Sequence, residues 1–221
     1  MNKSLIDSSS SVVPGFAASA ALLEFLILFF RVNLHNVFVG QRMRRGKARH
    51  AEVPSPGNLW TMLASIGTII FMVEAVAYGF LGLLGGDDTI PLIMVPLGEV
   101  QAALGSLGLA LIAVGVLVFV WSVVTRGRYS VSWEMPEDHR LVTWGPYKYV
   151  SHPSYSGYFL MFLGLALLVN NPAVMVPLIA VPGYVNLVDT EEVLLVSRFG
   201  DEYRRYAETT GRFIPRLRRS R

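Results

Sequence analysis

Long apolar blocks constrain the fold of this chain more than any other feature of its sequence. An apolar helix of about 20 residues, rising about 1.5 Å per residue, crosses the ~30 Å hydrocarbon core of a bilayer. Five apolar segments can be drawn, and the last two are shorter than a full span: 12–30, 59–84, 97–124, 155–169 and 173–188. We therefore predict an all-α integral membrane protein with about five transmembrane helices, the last two forming a short hairpin around Asn170-Asn171-Pro172.

The composition also indicates a membrane protein. The 221 residues are 52% hydrophobic and only 16% charged, against about 25% charged in soluble domains, and the mean hydropathy is +0.46. The chain contains no cysteine, which excludes thiolate chemistry and disulfides. No small-residue cleavage site follows the first apolar block, so we expect a retained helix rather than a signal peptide.

Lysine and arginine are distributed unequally between the two sides of the predicted bundle. With five spans, the loops 31–58 and 125–154 and the segment after Val188 share one side, which holds eighteen of the nineteen basic residues. The excess of positive charge predicts that this side is cytoplasmic and that the N-terminus faces away from the cytoplasm. The net charge of +3 then meets anionic membrane lipids, and we expect no nucleic-acid partner.

Two segments on the predicted cytoplasmic side have compositions that simple connecting loops do not need. The segment 125–151 is rich in aromatic residues among glycine and proline: Tyr129, Trp133, Trp144, Tyr147 and Tyr149. The segment 190–209 is predicted to be an amphipathic helix with an apolar stripe: Val196, Phe199, Tyr203 and Tyr206. We therefore divide the chain into N-terminal transmembrane helices, 1–125, and a core with the short hairpin and a cytoplasmic C-terminal helix, 126–221.

Two polar motifs are candidates for ligand binding, and each also has a purely structural explanation. His152-Pro153-Ser154-Tyr155 stands where the fourth span begins, with Ser151 as a possible N-cap and the proline in the first turn. Glu191-Glu192 suits the first turn of a helix that Asp189 caps. From the residues alone, both explanations remain open.

The order and spacing of motifs between positions 130 and 215 are more specific than any single motif. The motifs are His139-Arg140-Leu141-Val142-Thr143, Gly145, Tyr147, His152-Pro153-Ser154-Tyr155, Gly157, Asn171-Pro172, Glu191-Glu192, Phe199-Gly200, Glu202-Tyr203 and Tyr206. This segment resembles the isoprenylcysteine carboxyl methyltransferase family. The first half of the chain resembles that family only in being helical and membrane-spanning.

The resemblance implies a membrane enzyme that transfers a methyl group from S-adenosylmethionine to a lipophilic small molecule or lipidated substrate. It implies a cytoplasmic cofactor site, formed by 130–155 and the helix that begins near Thr190. The implied cofactor-binding residues are His139, Arg140, Leu141, Val142, Tyr147, His152, Pro153, Ser154, Tyr155 and Glu191. These residue types suit the ligand, because an adenosyl group needs an apolar slot and a sulfonium cation is favoured near a carboxylate or an aromatic face.

Two positions depart from the family pattern. The arginine expected immediately before the His-Pro pair is Ser151, and the arginine expected four residues before the cofactor glutamate is Leu187. The second arginine engages the substrate carboxylate in the family, and loss of such a partner at a desolvated site costs about 2–5 kcal/mol. Either another arginine such as Arg140 or Arg212 takes its place, or the acceptor is an amine, thiol or hydroxyl on an apolar molecule. We favour the second alternative.

Two other functions stay open on the sequence. Sterol reductases share a His-Pro-Asn-Tyr-like element and a similar C-terminal tail and use NADPH, whereas a non-catalytic membrane scaffold binds neither cofactor. Ser154 and the upstream segment from His139 to Val142 favour the methyltransferase. No metal site is expected, and no catalytic residue can be named. For Glu24 and Glu74, which fall inside apolar spans, we expect protonated side chains hydrogen-bonded between helices.

Overall fold

The structure is a computed structural model that describes residues 15–45, 50–52, 58–85, 100–127, 134–136, 140–169 and 171–216. The α-helices of these segments are α1 (Phe16–Arg45), α2 (Asn58–Leu83), α3 (Val100–Arg126), α4 (Pro153–Leu168), α5 (Ala180–Phe199) and α6 (Asp201–Thr209). Two 3₁₀ segments, Gly145–Lys148 and Pro172–Ile179, precede α4 and α5. The short strands β1 (His50–Glu52) and β2 (Glu134–Pro136) pair antiparallel, with Ala51 opposite Met135.

The predicted all-α membrane architecture is confirmed for the described part of the chain. Four segments are long and apolar enough to cross a membrane: Phe16–Phe38, Leu59–Leu83, Val100–Arg126 and Pro172–Phe199. One further apolar helix, α4, has 16 residues and is shorter than these four segments. The strand pair joins the connection between α1 and α2 to the segment after α3, and it leaves the helical class unchanged.

The last apolar segment is longer than predicted. Pro172–Phe199 runs for 28 residues, so the boundary expected at Val188 and the new helix expected near Thr190 are wrong. The helix passes through Asp189 and Glu191 because both residues have a backbone N–H and adopt the right-handed helical backbone. The chain changes direction later, at Gly200, whose φ of +55° suits glycine. Of the predicted stripe, Tyr203 is buried in α6.

Glycine pairs bring α3 and α4 into direct backbone contact. A Cβ atom on Gly108 would lie 2.5 Å from the carbonyl oxygen of Gly164, and one on Gly164 would lie 2.6 Å from that of Gly108. Gly115 and Gly157 repeat the arrangement, at 2.7 Å in each direction. Small residues allow helices to approach this closely in a membrane, where apolar burial alone gives little drive for association. The start of α4 is therefore held firmly against α3.

Helix α5 is held against α2 in a similar way. A Cβ atom on Gly183 would lie 2.5 Å from the backbone nitrogen of Ala64. The hydroxyls of Thr68 and Tyr184 lie 2.7 Å apart and share a hydrogen bond between the same two helices. With α4 held by α3 and α5 held by α2, Tyr155 in the first turn of α4 contacts Glu191 of α5.

The two intramembrane glutamates differ in environment. Glu24 lies on the exposed face of α1, so the hydrogen bond between helices that we expected for it is wrong. Glu74 is half-buried in α2, and its Oε2 atom has no hydrogen-bond partner among the described residues.

Candidate functional site

The start of α4 positions His152. Pro153 opens the helix, where its missing N–H removes no hydrogen bond. The predicted N-cap at Ser151 is wrong, because this serine pairs with the C-terminal segment: its Oγ donates to the carbonyl of Gly211 at 3.3 Å and its backbone N–H donates to the same oxygen at 2.8 Å. His152 is the residue before the helix, and its imidazole makes no cap and is only 6% exposed.

Two consecutive carboxylates of α5 flank the buried imidazole. Nδ1 of His152 lies 3.5 Å from Oε2 of Glu191, and Nε2 lies 3.3 Å from Oε1 of Glu192 without forming a well-aligned hydrogen bond. Burial by itself lowers the pKa of His152, but the two carboxylates outweigh burial and raise the pKa above its ordinary value. The predicted helix cap at Asp189 is wrong, since Asp189 lies inside α5 together with Glu191 and Glu192.

Tyr155 joins Glu191 to an aromatic wall. Its hydroxyl donates to Oε1 of Glu191 at 2.6 Å. Its ring stacks on His152 with centroids 6.0 Å apart and an interplanar angle of 15°, and it lies 4.9 Å from the ring of Tyr184. The Glu191 side chain remains 31% exposed, so this residue is only partly covered although its carboxylate accepts the hydrogen bond from Tyr155.

The segment after α6 closes over the first turn of α4. Arg212 binds Glu192 through two nitrogens, with Nε 2.9 Å from Oε1 and Nη2 on Oε2, and its Nη1 lies 2.8 Å from Oδ1 of Asp189. The backbone N–H of His152 donates to the carbonyl of Arg212 at 3.0 Å, and Oγ of Ser156 donates to that of Phe213 at 2.7 Å. We refer to five residues as the polar cluster: His152, Tyr155, Glu191, Glu192 and Arg212.

Tyr147 lies beside the polar cluster in the 3₁₀ turn before α4. Gly145 begins this turn with a φ of +61°, and a Cβ atom there would lie 2.8 Å from Oγ1 of Thr125. Tyr147 is 6% exposed, and burial raises the pKa of its phenol, which stays neutral. Its carbonyl accepts a hydrogen bond from the hydroxyl of Tyr206 at 2.7 Å. The guanidinium of Arg126 lies 5.9 Å from the centre of its ring.

The structure brings only some of the predicted cofactor residues into mutual contact. His152, Tyr155 and Glu191 meet, with Pro153 buried and Ser154 half-buried in the same turn. The other predicted residues are placed as follows: Val142 is buried, Leu141 is half-buried, Arg140 is exposed, and His139 lies outside the described residues.

Three contributions were missed by the sequence analysis. Arg126 had been counted only as loop charge, and nothing in the spacing indicated that it would lie over Tyr147. Arg212 had been considered only as a replacement for the missing substrate arginine, whereas it is engaged by Glu192 and Asp189. Phe213 lies 6.2 Å from the His152 ring. All three contacts join positions far apart in sequence, which local patterns do not report.

The residues present fit S-adenosylmethionine. The half-buried Glu191 carboxylate next to aromatic rings favours a cationic sulfonium, and apolar and aromatic walls favour an adenosyl group. Nε of Arg126 is buried without a hydrogen-bond partner among the described residues, and Nε2 of His152 has only its poorly aligned contact with Glu192.

Comparison with known proteins agrees with the motifs. Residues 104–202 match the phospholipid methyltransferase (PEMT) family. This segment includes α4, α5, Glu191 and Glu192. The protein-S-isoprenylcysteine O-methyltransferase of Schizosaccharomyces pombe is 41% identical over 81 residues, which are 36% of this chain and 34% of that protein. Protein-S-isoprenylcysteine O-methyltransferase A of Arabidopsis thaliana is 31% identical over 113 residues, 49% of this chain and 57% of that protein.

A third relative extends further along the chain. The protein-S-isoprenylcysteine O-methyltransferase of Xenopus laevis is 28% identical over 158 residues, 71% of this chain and 50% of that protein. The matched parts of the chain thus span between about a third and somewhat over half of the length of these relatives. The resemblance to the isoprenylcysteine carboxyl methyltransferases that the motifs predicted is confirmed.

Proposed function

We propose that this protein is an S-adenosylmethionine-dependent membrane methyltransferase that acts on a lipophilic acceptor, in the manner of the isoprenylcysteine carboxyl methyltransferases. The observation that carries the proposal is the contact of His152, Tyr155 and Glu191, which joins the two most specific motifs at a buried, partly open carboxylate. This contact lies within the segment that matches the methyltransferase family.

S-adenosylmethionine is the proposed cofactor, with Glu191 as the carboxylate nearest its cationic sulfur and Tyr147 and Tyr155 as aromatic neighbours. The remaining proposed cofactor residues are His139, Arg140, Leu141, Val142, His152, Pro153 and Ser154. When bound, the cofactor supplies a methyl group on a sulfonium, whose charge is lost on transfer. The contribution of the protein is then orientation and exclusion of water.

Exclusion of water is the role that we assign to the segment after α6. Arg212 and Phe213 lie over His152, and their backbone carbonyls are tied to the first turn of α4. A covered site strengthens the attraction between Glu191 and a bound cation, because the effective dielectric constant falls when water leaves.

The proposed acceptor is a lipophilic small molecule or a lipidated substrate that arrives from the bilayer. The relatives are named for isoprenylcysteine in proteins, which supports an acceptor with a long apolar chain. Leu187, at the position of the family arginine, is 1% exposed in the core, so that position provides no contact to an acceptor. The amine, thiol or hydroxyl acceptor favoured from the sequence stays a prediction.

We further propose the predicted orientation and organisation. The polar cluster then faces the cytoplasm, supported by the partition of eighteen of nineteen basic residues. Residues 1–125 form the membrane-embedded N-terminal helices, and 126–221 form the methyltransferase core.

Binding of labelled S-adenosylmethionine and of NADPH to the purified protein tests the proposal. We expect saturable binding of the first only, and weaker binding in the His152→Ala and Glu191→Gln variants, because each loses a group that touches the proposed site. Glu208→Gln, which changes an exposed glutamate of α6, is the matched control and should bind normally. NADPH binding favours the reductase, binding of neither favours the scaffold, and unchanged affinity in both site variants assigns those residues a structural role only.

A further inference from the structure

Arg126 ends α3 at the edge of the polar cluster. It is half-buried, and its guanidinium lies 5.9 Å from the centre of the Tyr147 ring. Its Nε atom is buried and has no hydrogen-bond partner among the described residues. An unpaired buried donor is unfavourable, so this atom requires an explanation.

The other cations of the site are already paired. Arg212 is bound by Glu192 and Asp189, and His152 lies between Glu191 and Glu192. In the described part of the chain, no carboxylate lies within ion-pair distance of Arg126. Its guanidinium contacts the ring of Tyr147, and its charge favours the ionised forms of Glu191 and Tyr155.

A guanidinium in this position suits a particular kind of ligand. Its planar array of five N–H donors matches the two oxygens of a carboxylate, and its charge persists at every physiological pH. We propose that Arg126 binds a carboxylate of a ligand of the methyl-transfer site. The inference rests on the proposed function and adds an anion-binding group to it.

Two ligands of the proposed reaction carry this chemistry. One is the cofactor, whose amino-acid end has a carboxylate, and the other is an acceptor that ends in a free carboxylate. Both would bring negative charge to a region that already contains Glu191, and Arg126 offsets the resulting repulsion.

A structural role for Arg126 gives a different expectation. A cation at the C-terminus of a helix stabilises the helix dipole, and contact with an aromatic ring adds to that effect. In that case the loss of Arg126 lowers the stability of the protein and affects every ligand equally. A ligand-binding role instead affects only ligands that have the carboxylate.

The test compares paired ligands on the full chain in detergent micelles. The variants are Arg126→Gln and Arg126→Lys, with Arg204→Gln as the matched control because Arg204 is 63% exposed on α6. The first ligand pair is S-adenosylhomocysteine and its decarboxylated form. The second pair is a prenylated cysteine and its carboxamide, measured as binding in the presence of saturating S-adenosylhomocysteine.

We expect Arg126→Gln to weaken one carboxylate ligand by at least about tenfold while its partner without the carboxylate binds as before. Weaker binding of S-adenosylhomocysteine than of its decarboxylated form shows that Arg126 binds the cofactor carboxylate. Weaker binding of the prenylated cysteine than of its carboxamide shows that Arg126 binds the acceptor carboxylate. Arg126→Lys should retain part of the affinity, since it keeps the charge without the planar fork.

Equal weakening within both pairs, or no weakening in either, overturns the proposal. If the unaltered protein binds no S-adenosylhomocysteine, the proposed function fails first and this inference fails with it. If the unaltered protein binds the cofactor normally and the Arg126 variants bind every ligand as it does, only this inference is overturned.

Discussion

The interface between α3 and α4 and the polar cluster are built in opposite ways. The interface consists of glycine backbones in mutual contact, at Gly108 with Gly164 and at Gly115 with Gly157, and it needs nothing from outside the protein. The polar cluster gathers charges, and one of its buried nitrogens, Nε2 of His152, has no aligned hydrogen bond. The interface therefore fixes the position of α4, whereas the polar cluster contains groups that a ligand can bind.

The largest effect is expected where the interface is closest. Gly164→Ala places a Cβ atom 2.6 Å from the carbonyl of Gly108 and 2.9 Å from the backbone nitrogen of Ile112. Because backbone atoms of both helices must then separate, we expect a loss of about 1–3 kcal/mol of stability. The thermal unfolding midpoint of the purified protein measures this loss.

Gly105→Ala is the matched control on the other helix of the interface. The nearest atom to its new Cβ, the carbonyl oxygen of Leu168, is 3.9 Å away, an ordinary contact. We expect an unchanged or slightly higher midpoint, because alanine is favoured over glycine in a helix. Equal losses in the two variants would show that close backbone contact does not hold α4 in place.

A smaller effect is expected for the ion pairs of the polar cluster. Arg212→Gln removes a guanidinium that binds Glu192 and Asp189 and should lower stability by about 1 kcal/mol, less than for a fully buried pair because Arg212 is 38% exposed. The C-terminal segment should then be cut faster by protease.

The exposed pair on α6 provides the control. Arg204 and Asp201 lie 2.9 Å apart with side chains 63% and 75% exposed, and such pairs contribute at most about 0.5 kcal/mol. Arg204→Gln should leave both the midpoint and the cleavage rate unchanged. If it matches Arg212→Gln, the segment after α6 is not held by the polar cluster.

The sequence predicts the interface region better than the cluster. Apolar length alone predicts α2 and α3, because membrane thickness constrains both directly. The end of α5 was misplaced because acidic residues at 189, 191 and 192 were interpreted as a helix start, although charged residues keep their backbone N–H and fit a helix interior. Gly200 was the signal that marked the true end.

The cluster depends on contacts between distant positions. That His152 and Glu191 belong to one site follows from the family resemblance, and residue types and spacing do not predict their contact. The placement of Arg126 over Tyr147 and of Arg212 on Glu192 depends on how three chain segments converge. No local period or cap encodes such convergence, so the structure was needed to find it.

The smallest and most selective effect is a pH dependence that belongs to the cluster alone. Glu191 and Glu192 raise the pKa of His152 above its unfolded value of 6.5, so the folded protein binds this proton more tightly than the unfolded chain. The resulting stabilisation is complete below the unfolded pKa and is lost as the pH rises through the folded pKa. We expect the unfolding midpoint to fall as the pH rises above 6.5 through the folded pKa. His152→Gln should remove that part of the slope. His35→Gln, at an exposed histidine of α1, should keep the slope. An identical slope in the His152 variant would show that the imidazole between the two carboxylates does not gain a proton on folding, and the polar cluster would then carry one positive charge fewer.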